Sequence, residues 1–119
     1  MTENGTGTPL AVQVSRDSNG PVLQVTGELD MSSTGTLVET GRQQLRGPAA
    51  LLTVDLSGVG FCDSAGINGL VQLRKSCAEA GWQFRLVNLN SSLRRVICDL
   101  TGLGEFLNVQ PSGTDAPPA

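Results

Sequence analysis

The run Leu51-Leu-Thr-Val-Asp-Leu56 is nearly unbroken in apolar residues and sits near the middle of the chain. Such a run reads as a strand buried on both faces, as central parallel strands are. This feature restricts the fold, because parallel strands need long crossover connections, normally helices. The flanking sequence supplies them. Upstream, Ser32-Ser33 are good N-cap residues, followed by Leu37, Val38, Gly41 and Leu45 along one helical face. That helix is expected to stop at Gly47-Pro48. Downstream, a second helix begins near Asp63-Ser64 and carries Ile67, Leu70, Val71, Cys77 and Ala78 at helical spacing. Gly81 follows as its stop.

The remaining elements fall into place around this unit. Leu10-Ala-Val-Gln-Val14 and Pro21-Val-Leu-Gln-Val-Thr-Gly27 read as short strands. Between them Ser15-Arg-Asp-Ser-Asn-Gly20 is turn chemistry, which predicts an antiparallel hairpin. Gln83-Phe-Arg-Leu-Val87 is a fourth strand. Asn90-Ser91-Ser92 caps a third helix with Leu93, Val96, Ile97 and Leu100 inward and Gly102 after it. Phe106-Leu-Asn-Val109 is either an edge strand or a short helix. The order β-β-α-β-α-β-α-β predicts an α/β fold. Its mixed, mostly parallel central sheet begins with an antiparallel hairpin and carries packed helices, in a three-layer or open sandwich.

Length gives a prior of one domain. The domain is expected over residues 9–110. Residues 1–8 and 111–119 are small, polar and Gly- or Pro-rich, which predicts disordered tails. The start has neither a basic nor an apolar leader region, and no apolar run approaches the ~20 residues of a membrane span. No membrane insertion is expected.

Composition excludes several functions. The 119 residues include no His, no Tyr, three Phe and one Trp. Without His there is no Ser-His or Cys-His nucleophile pair, no imidazole metal ligand and no imidazole pH switch. Few rings argue against base-stacking platforms, and the formal charge of −3 with no basic patch beyond Arg74-Lys75 and Arg94-Arg95 argues against nucleic acid. Cys62, Cys77 and Cys98 are odd in number, widely spaced and set in apolar stretches. They read as reduced, buried thiols of a cytoplasmic protein.

The stretch Val54-Asp-Leu-Ser-Gly-Val-Gly-Phe-Cys-Asp-Ser-Ala-Gly-Ile67 joins the central strand to the second helix. Sites in open α/β sheets favour the carboxyl ends of strands. Ser64 is placed at or beside the N-cap, where its hydroxyl can accept an N–H of the first turn, worth ~1 kcal/mol. Asp63 can do the same. Ser64-x-Gly66 matches half of a hydrolase nucleophile elbow. The preceding Gly is absent, however, and Lys75 lies about 16 Å along the helix at ~1.5 Å per residue, too far to act as base. Asp30, Asp55 and Asp63 could gather near the strand ends, but three acids without a phosphate loop are a weak metal signal. Ser57-Gly-Val-Gly60 lacks the Lys and spacing of such a loop. No enzyme, metal or cofactor is expected.

Gly27-Glu28-Leu29-Asp30, then Asp55-Leu-Ser-Gly-Val59 with Phe61-Cys-Asp-Ser-Ala-Gly66, and the late Leu100-Thr-Gly-Leu103, together resemble the STAS domain of anti-sigma factor antagonists. The resemblance runs over about residues 9–110. It implies a protein that binds an anti-sigma factor serine kinase and so frees a sigma factor. The kinase, which brings the ATP, phosphorylates a Ser at the start of the second helix, and the antagonist then lets go. A serine phosphatase restores it. Carried onto this sequence, the phosphoacceptor falls on Ser64, the preceding acid on Asp63 and the strand-to-helix acid on Asp30. Met31, Ser32, Ser33, Ala65, Gly66 and Asn68 flank the two helix starts and complete the candidate docking surface. Ala65 departs from the family, which commonly has a second hydroxyl there.

The proposed switch has a physical basis of its own. Phosphate brings roughly −1.5 to −2 charges. A helix N-terminus welcomes it by ~0.3–1 kcal/mol. A carboxylate 4 Å away opposes it by ~4 kcal/mol at an effective dielectric of 20. Repulsion therefore exceeds attraction, and phosphorylation is expected to break an interface rather than the fold. Two other classes stay open: an unphosphorylated STAS scaffold in a signalling or transporter-associated complex, and a small-molecule binder at the strand ends.

Overall fold

The computed structural model describes residues 8–111. Apart from Thr8 and Pro111, the tails expected to be disordered lie outside the described residues. Strands β1 (Ala11–Asp17) and β2 (Gly20–Leu29) form the expected antiparallel hairpin, in register from Ala11 opposite Thr26 to Asp17 opposite Gly20. Asp17 shapes the turn by accepting the N–H groups of Asn19 at 2.8 Å and Gly20 at 3.2 Å. Then follow α1 (Thr34–Gln43), β3 (Leu51–Cys62), α2 (Ser64–Glu79), β4 (Gln83–Val87) and α3 (Ser91–Arg94). The last helix widens at once into a π-helical segment, Arg95–Leu100.

The sheet order is β1-β2-β3-β4, with β2, β3 and β4 parallel. Strand order thus advances in one direction. Right-handed crossovers that advance in one direction put their helices on the same face. The result is a two-layer sandwich rather than three layers. Leu23, Val25 and Leu29 of β2, Leu52, Val54, Leu56 and Val59 of β3, and Phe84 and Leu86 of β4 point into one core. There they meet Leu37, Leu70, Leu73, Cys77, Leu93, Ile97 and Leu107. The opposite face carries exposed Gln24 and Thr26 and half-buried Glu28, Asp55 and Val87. The central strand is therefore not helix-covered on both sides. Thr53 is buried on the open face because Arg85 lies over it, its Nε donating to Thr53 Oγ1 at 2.9 Å.

Several boundaries differ from the sequence reading. Strand β3 continues six residues past Leu56, through the Gly-rich turn expected at 57–60. Pairing of β2 with Gly58, Val59, Phe61 and Cys62 sustains it, and two register shifts absorb the extra residues as bulges. Helix α1 ends at Gln43, so Leu45 packs on the core from the following loop. On α2, Leu73 is buried, while Val71 is half-buried and Ala78 exposed. Leu100 is not inward: it is 68% exposed. Wider i→i+5 turns change the face presented after Ile97, and Thr101 N accordingly bonds Val96 O at 3.0 Å. Residues 106–109 form neither strand nor helix, only turns and one parallel bridge between Leu86 and Val109. The three cysteines are free thiols; Cys77 is buried, Cys62 and Cys98 half-buried.

Candidate functional site

Because β2 and β3 are adjacent and parallel, their carboxyl ends lie side by side, and so do the starts of α1 and α2. The Asp63 N–H donates to Leu29 O at 3.2 Å, joining the two junctions through the backbone. A Cβ on Gly66 would lie 2.5 Å from Leu29 O and 2.8 Å from Cys62 Sγ, so only glycine lets the first turn of α2 sit this close to β2. One turn later, a Cβ on Gly69 would collide with Thr34 Oγ1 at the start of α1. That hydroxyl is buried without a hydrogen-bond partner among the described residues.

The cap of α2 belongs to Asp63. Its Oδ1 accepts the Gly66 N–H at 2.9 Å. Ser64 is the first helical residue. It is exposed, and its hydroxyl makes no hydrogen bond among the described residues. The alternative in which Ser64 is simply the cap is thereby corrected. The reason is local geometry: Asp63 has the extended backbone of an N-cap (φ −95°, ψ −173°) and a side chain of the right length.

The first junction is organised differently. Ser33 occupies the cap position of α1, but its side chain makes no cap hydrogen bond. Its hydroxyl has one proton to give, and the shortest acceptor is Glu28 O at 2.9 Å. It also accepts the Asp30 N–H at 3.0 Å. Asp30 does the turning: its Oδ1 accepts Ser32 Oγ at 2.8 Å and Ser32 N at 3.0 Å, and stands 3.2 Å from Ser33 Oγ as the longer alternative acceptor for that one proton. The Ser32 hydroxyl, helped by Ser33, holds the Asp30 carboxyl below the usual aspartate range. Met31, at the tip of the turn, is 80% exposed. Asn68 is exposed one turn into α2, Ala65 is half-buried and Gly66 is buried.

The three acids do not gather. Asp55 bonds Ser57 N at 2.9 Å and Asn88 Nδ2 at 3.1 Å, away from the other two. Among the described residues no group of three His, Cys, Asp or Glu is placed to hold a metal ion. Burial, aided by the adjacent Asp63 charge, pushes the Cys62 thiol up to about 12. Sequence reasoning passed over Phe61, which is 49% exposed and pairs across the sheet with Glu28. The signal was available: an aromatic between Gly60 and Cys62 at the end of a strand, in a chain with only three Phe.

The family model described as "Mlab, STAS domain" matches residues 12–108. The chain belongs to the STAS domain family. An anti-sigma factor antagonist from Mycobacterium paratuberculosis is 25% identical, with 89% of each chain covered and a TM-score of 0.72. The anti-sigma factor antagonist SpoIIAA, unphosphorylated, is 18% identical over 85% of this chain and 89% of its own, with a TM-score of 0.69. The phosphorylated form from Bacillus, at the same identity and over 85% of this chain and 92% of its own, gives 0.63. The murine anion transporter Slc26a9 is 24% identical over 92% of this chain but 21% of its own, at a TM-score of 0.63. The mixed four-stranded sheet with its helices is the STAS fold of these neighbours. No described helix is long and apolar enough to cross a membrane.

Proposed function

We propose that this chain is an anti-sigma factor antagonist that binds an anti-sigma factor serine kinase and is switched off by phosphorylation at Ser64. The observation that carries the reading is the division of labour at the start of α2. Asp63 takes the cap, which leaves an exposed, unengaged hydroxyl on Ser64. Without a His in the chain, that hydroxyl has no base of the usual kind, so a partner must bring the ATP, the metal and the base. A serine phosphatase would reverse the modification. Asp30, Met31, Ser32, Ser33, Asp63, Ala65, Gly66 and Asn68 make up the docking region around it, with Gly66 acting from beneath by letting α2 approach β2.

The test is incubation with the cognate kinase and ATP, followed by intact-protein mass spectrometry. One added phosphate is expected on the wild type and none on Ser64→Ala. Ser64→Asp is expected to fold normally and to weaken kinase binding in calorimetry. Unchanged mass of the wild type would sink the switch. Ala65, in place of the family's usual second hydroxyl, favours one competing reading, a constitutive scaffold, which predicts a stable complex indifferent to ATP.

A further inference from the structure

Two phenylalanines, Phe61 and Phe106, are partly exposed, and their surroundings differ. Phe106 is 39% exposed, and the Arg74 guanidinium lies over its ring at 4.9 Å. Arg74 also donates from Nε to Phe106 O at 3.2 Å. Phe61 is 49% exposed, and no cation covers its ring among the described residues. None is nearby in sequence either: no Lys or Arg occurs from Asp17 to Gly41, or from Gly47 to Leu73.

Phe61 borders a depression of about 400 Å³ on the open face of the sheet. Thr8, Thr26, Gly27, Glu28, Gly58 and Gly60 line the rest of it. Gly60 leaves open space above the backbone, while the Thr26 side chain lies over Gly58, where a Cβ would collide with Thr26 Cγ2. Glu28 is the cross-strand partner of Phe61, so a carboxylate and an aromatic side chain line the hollow together. The hollow therefore offers an exposed aromatic side chain, a floor open at Gly60 and an acid with no Lys or Arg near it in sequence. An alkyl stem ending in a planar cation satisfies all three.

We propose that this depression seats an arginine side chain of the protein partner, with the guanidinium on Phe61 and turned toward Glu28. The inference rests on the proposed docking at Ser64. Phe61 is three residues from Ser64, at most about 11 Å of extended chain, so one partner can reach both. It extends that surface from the helix starts onto the open sheet face. Occupancy by a lysine, or by a hydrophobic side chain with no charge, is the competing outcome.

Two measurements test the seat. In the first, the purified cognate kinase with ADP is titrated by calorimetry into wild type, Glu28→Gln, Phe61→Leu and the double variant. Each single variant is expected to lose about tenfold in affinity, since a desolvated cation–π contact falls in that range. The double variant is expected to lose less than the product of the two, because both residues hold one group. Far-UV circular dichroism melts confirm that the variants fold. Single variants within twofold of wild type overturn the proposal. A loss for Phe61→Leu with none for Glu28→Gln assigns the hollow to an uncharged side chain and also overturns it.

In the second, blocked arginine amide is titrated against 15N-labelled protein, with blocked lysine and citrulline amides as controls. Saturable shifts at Gly58, Gly60 and Phe61 are expected for arginine only, and are abolished by Glu28→Gln. Equal shifts with lysine, or none with arginine, overturn the seat. This arm needs no kinase. If the wild type fails to bind kinase at all, the functional reading falls while the arginine titration still decides the seat.

Discussion

Asp63→Ala separates the two neighbours at the start of α2. The carboxylate accepts the Gly66 N–H at 2.9 Å, and losing such a cap costs about 1 kcal/mol. Asp63 also places a negative charge at the positive end of a 16-residue helix, worth about 0.3–1 kcal/mol. Together the loss is about 1.5 kcal/mol. For a domain of roughly 100 residues that lowers Tm by about 6–12 °C. Asp63→Asn keeps an acceptor and loses only the charge, so its drop is less than half as large. Ser64→Ala removes an exposed hydroxyl that makes no hydrogen bond among the described residues, and its stability stays within about 0.5 kcal/mol of wild type. Thermal and urea unfolding followed by far-UV circular dichroism measure all three. A loss for Ser64→Ala equal to that for Asp63→Ala would put the cap on the hydroxyl and remove the basis for a free phosphoacceptor.

Other predictions come from the same region and from the core. Gly69→Ala gains about 1 kcal/mol of helix propensity but drives a Cβ onto Thr34 Oγ1, an overpacking cost of about 1–3 kcal/mol. A net destabilisation is expected in urea titrations, largely relieved by Thr34→Ala; a stabilised Gly69→Ala would show that α1 moves freely. Asp30 has a lowered folded pKa, so its contribution is full above the ordinary value of 3.8 and is lost as pH falls through the lower folded value. The stability gap between wild type and Asp30→Asn should therefore be larger near neutral pH and narrow as pH falls below the ordinary aspartate range; a gap independent of pH would refute the hydrogen-bonding account. Burial raises the Cys77 thiol to about 11, and Cys62 stands at about 12, so alkylation at about pH 8 should be slow at both until denaturant is added. Labelling of Cys62 at the rate of a free thiol would contradict its packing against Gly66.

The sequence made the hairpin, the parallel crossovers and the serine-bearing junction legible, because each depends on local chemistry. Asp17 and Gly20 are turn residues, and Asn90 caps α3 as its type suggests, accepting Leu93 N at 2.8 Å. What the sequence hid is what depends on neighbours. Ser57-Gly-Val-Gly60 looks like a turn until β2 pairs with it. Thr53 looks helix-covered until Arg85 is found across the strand. Leu100 sits at an ideal helical spacing, yet the π-helical widening leaves it in solvent. At the candidate site, both Asp63 and Ser64 are acceptable caps by residue type. Only backbone geometry chooses between them, and that choice leaves the serine free.

The placement of the site also explains why a charge there should act on a partner. Strand order advances in one direction, so β2 and β3 end together and deliver Glu28, Asp30 and Asp63 to the same end of the molecule. The Asp63–Leu29 backbone bond and the glycine contacts at 66 and 69 hold the two helix starts tightly together. Neither junction brings a Lys or Arg within its own sequence. A phosphate on Ser64 would gain about 0.3–1 kcal/mol from the helix and meet about 4 kcal/mol of repulsion from an acid at 4 Å. While the surface is wet, water and salt screen most of that repulsion. Docking removes the water, so the full imbalance appears only in the complex. The fold would tolerate such a charge for the same reason that the proposed interface would not.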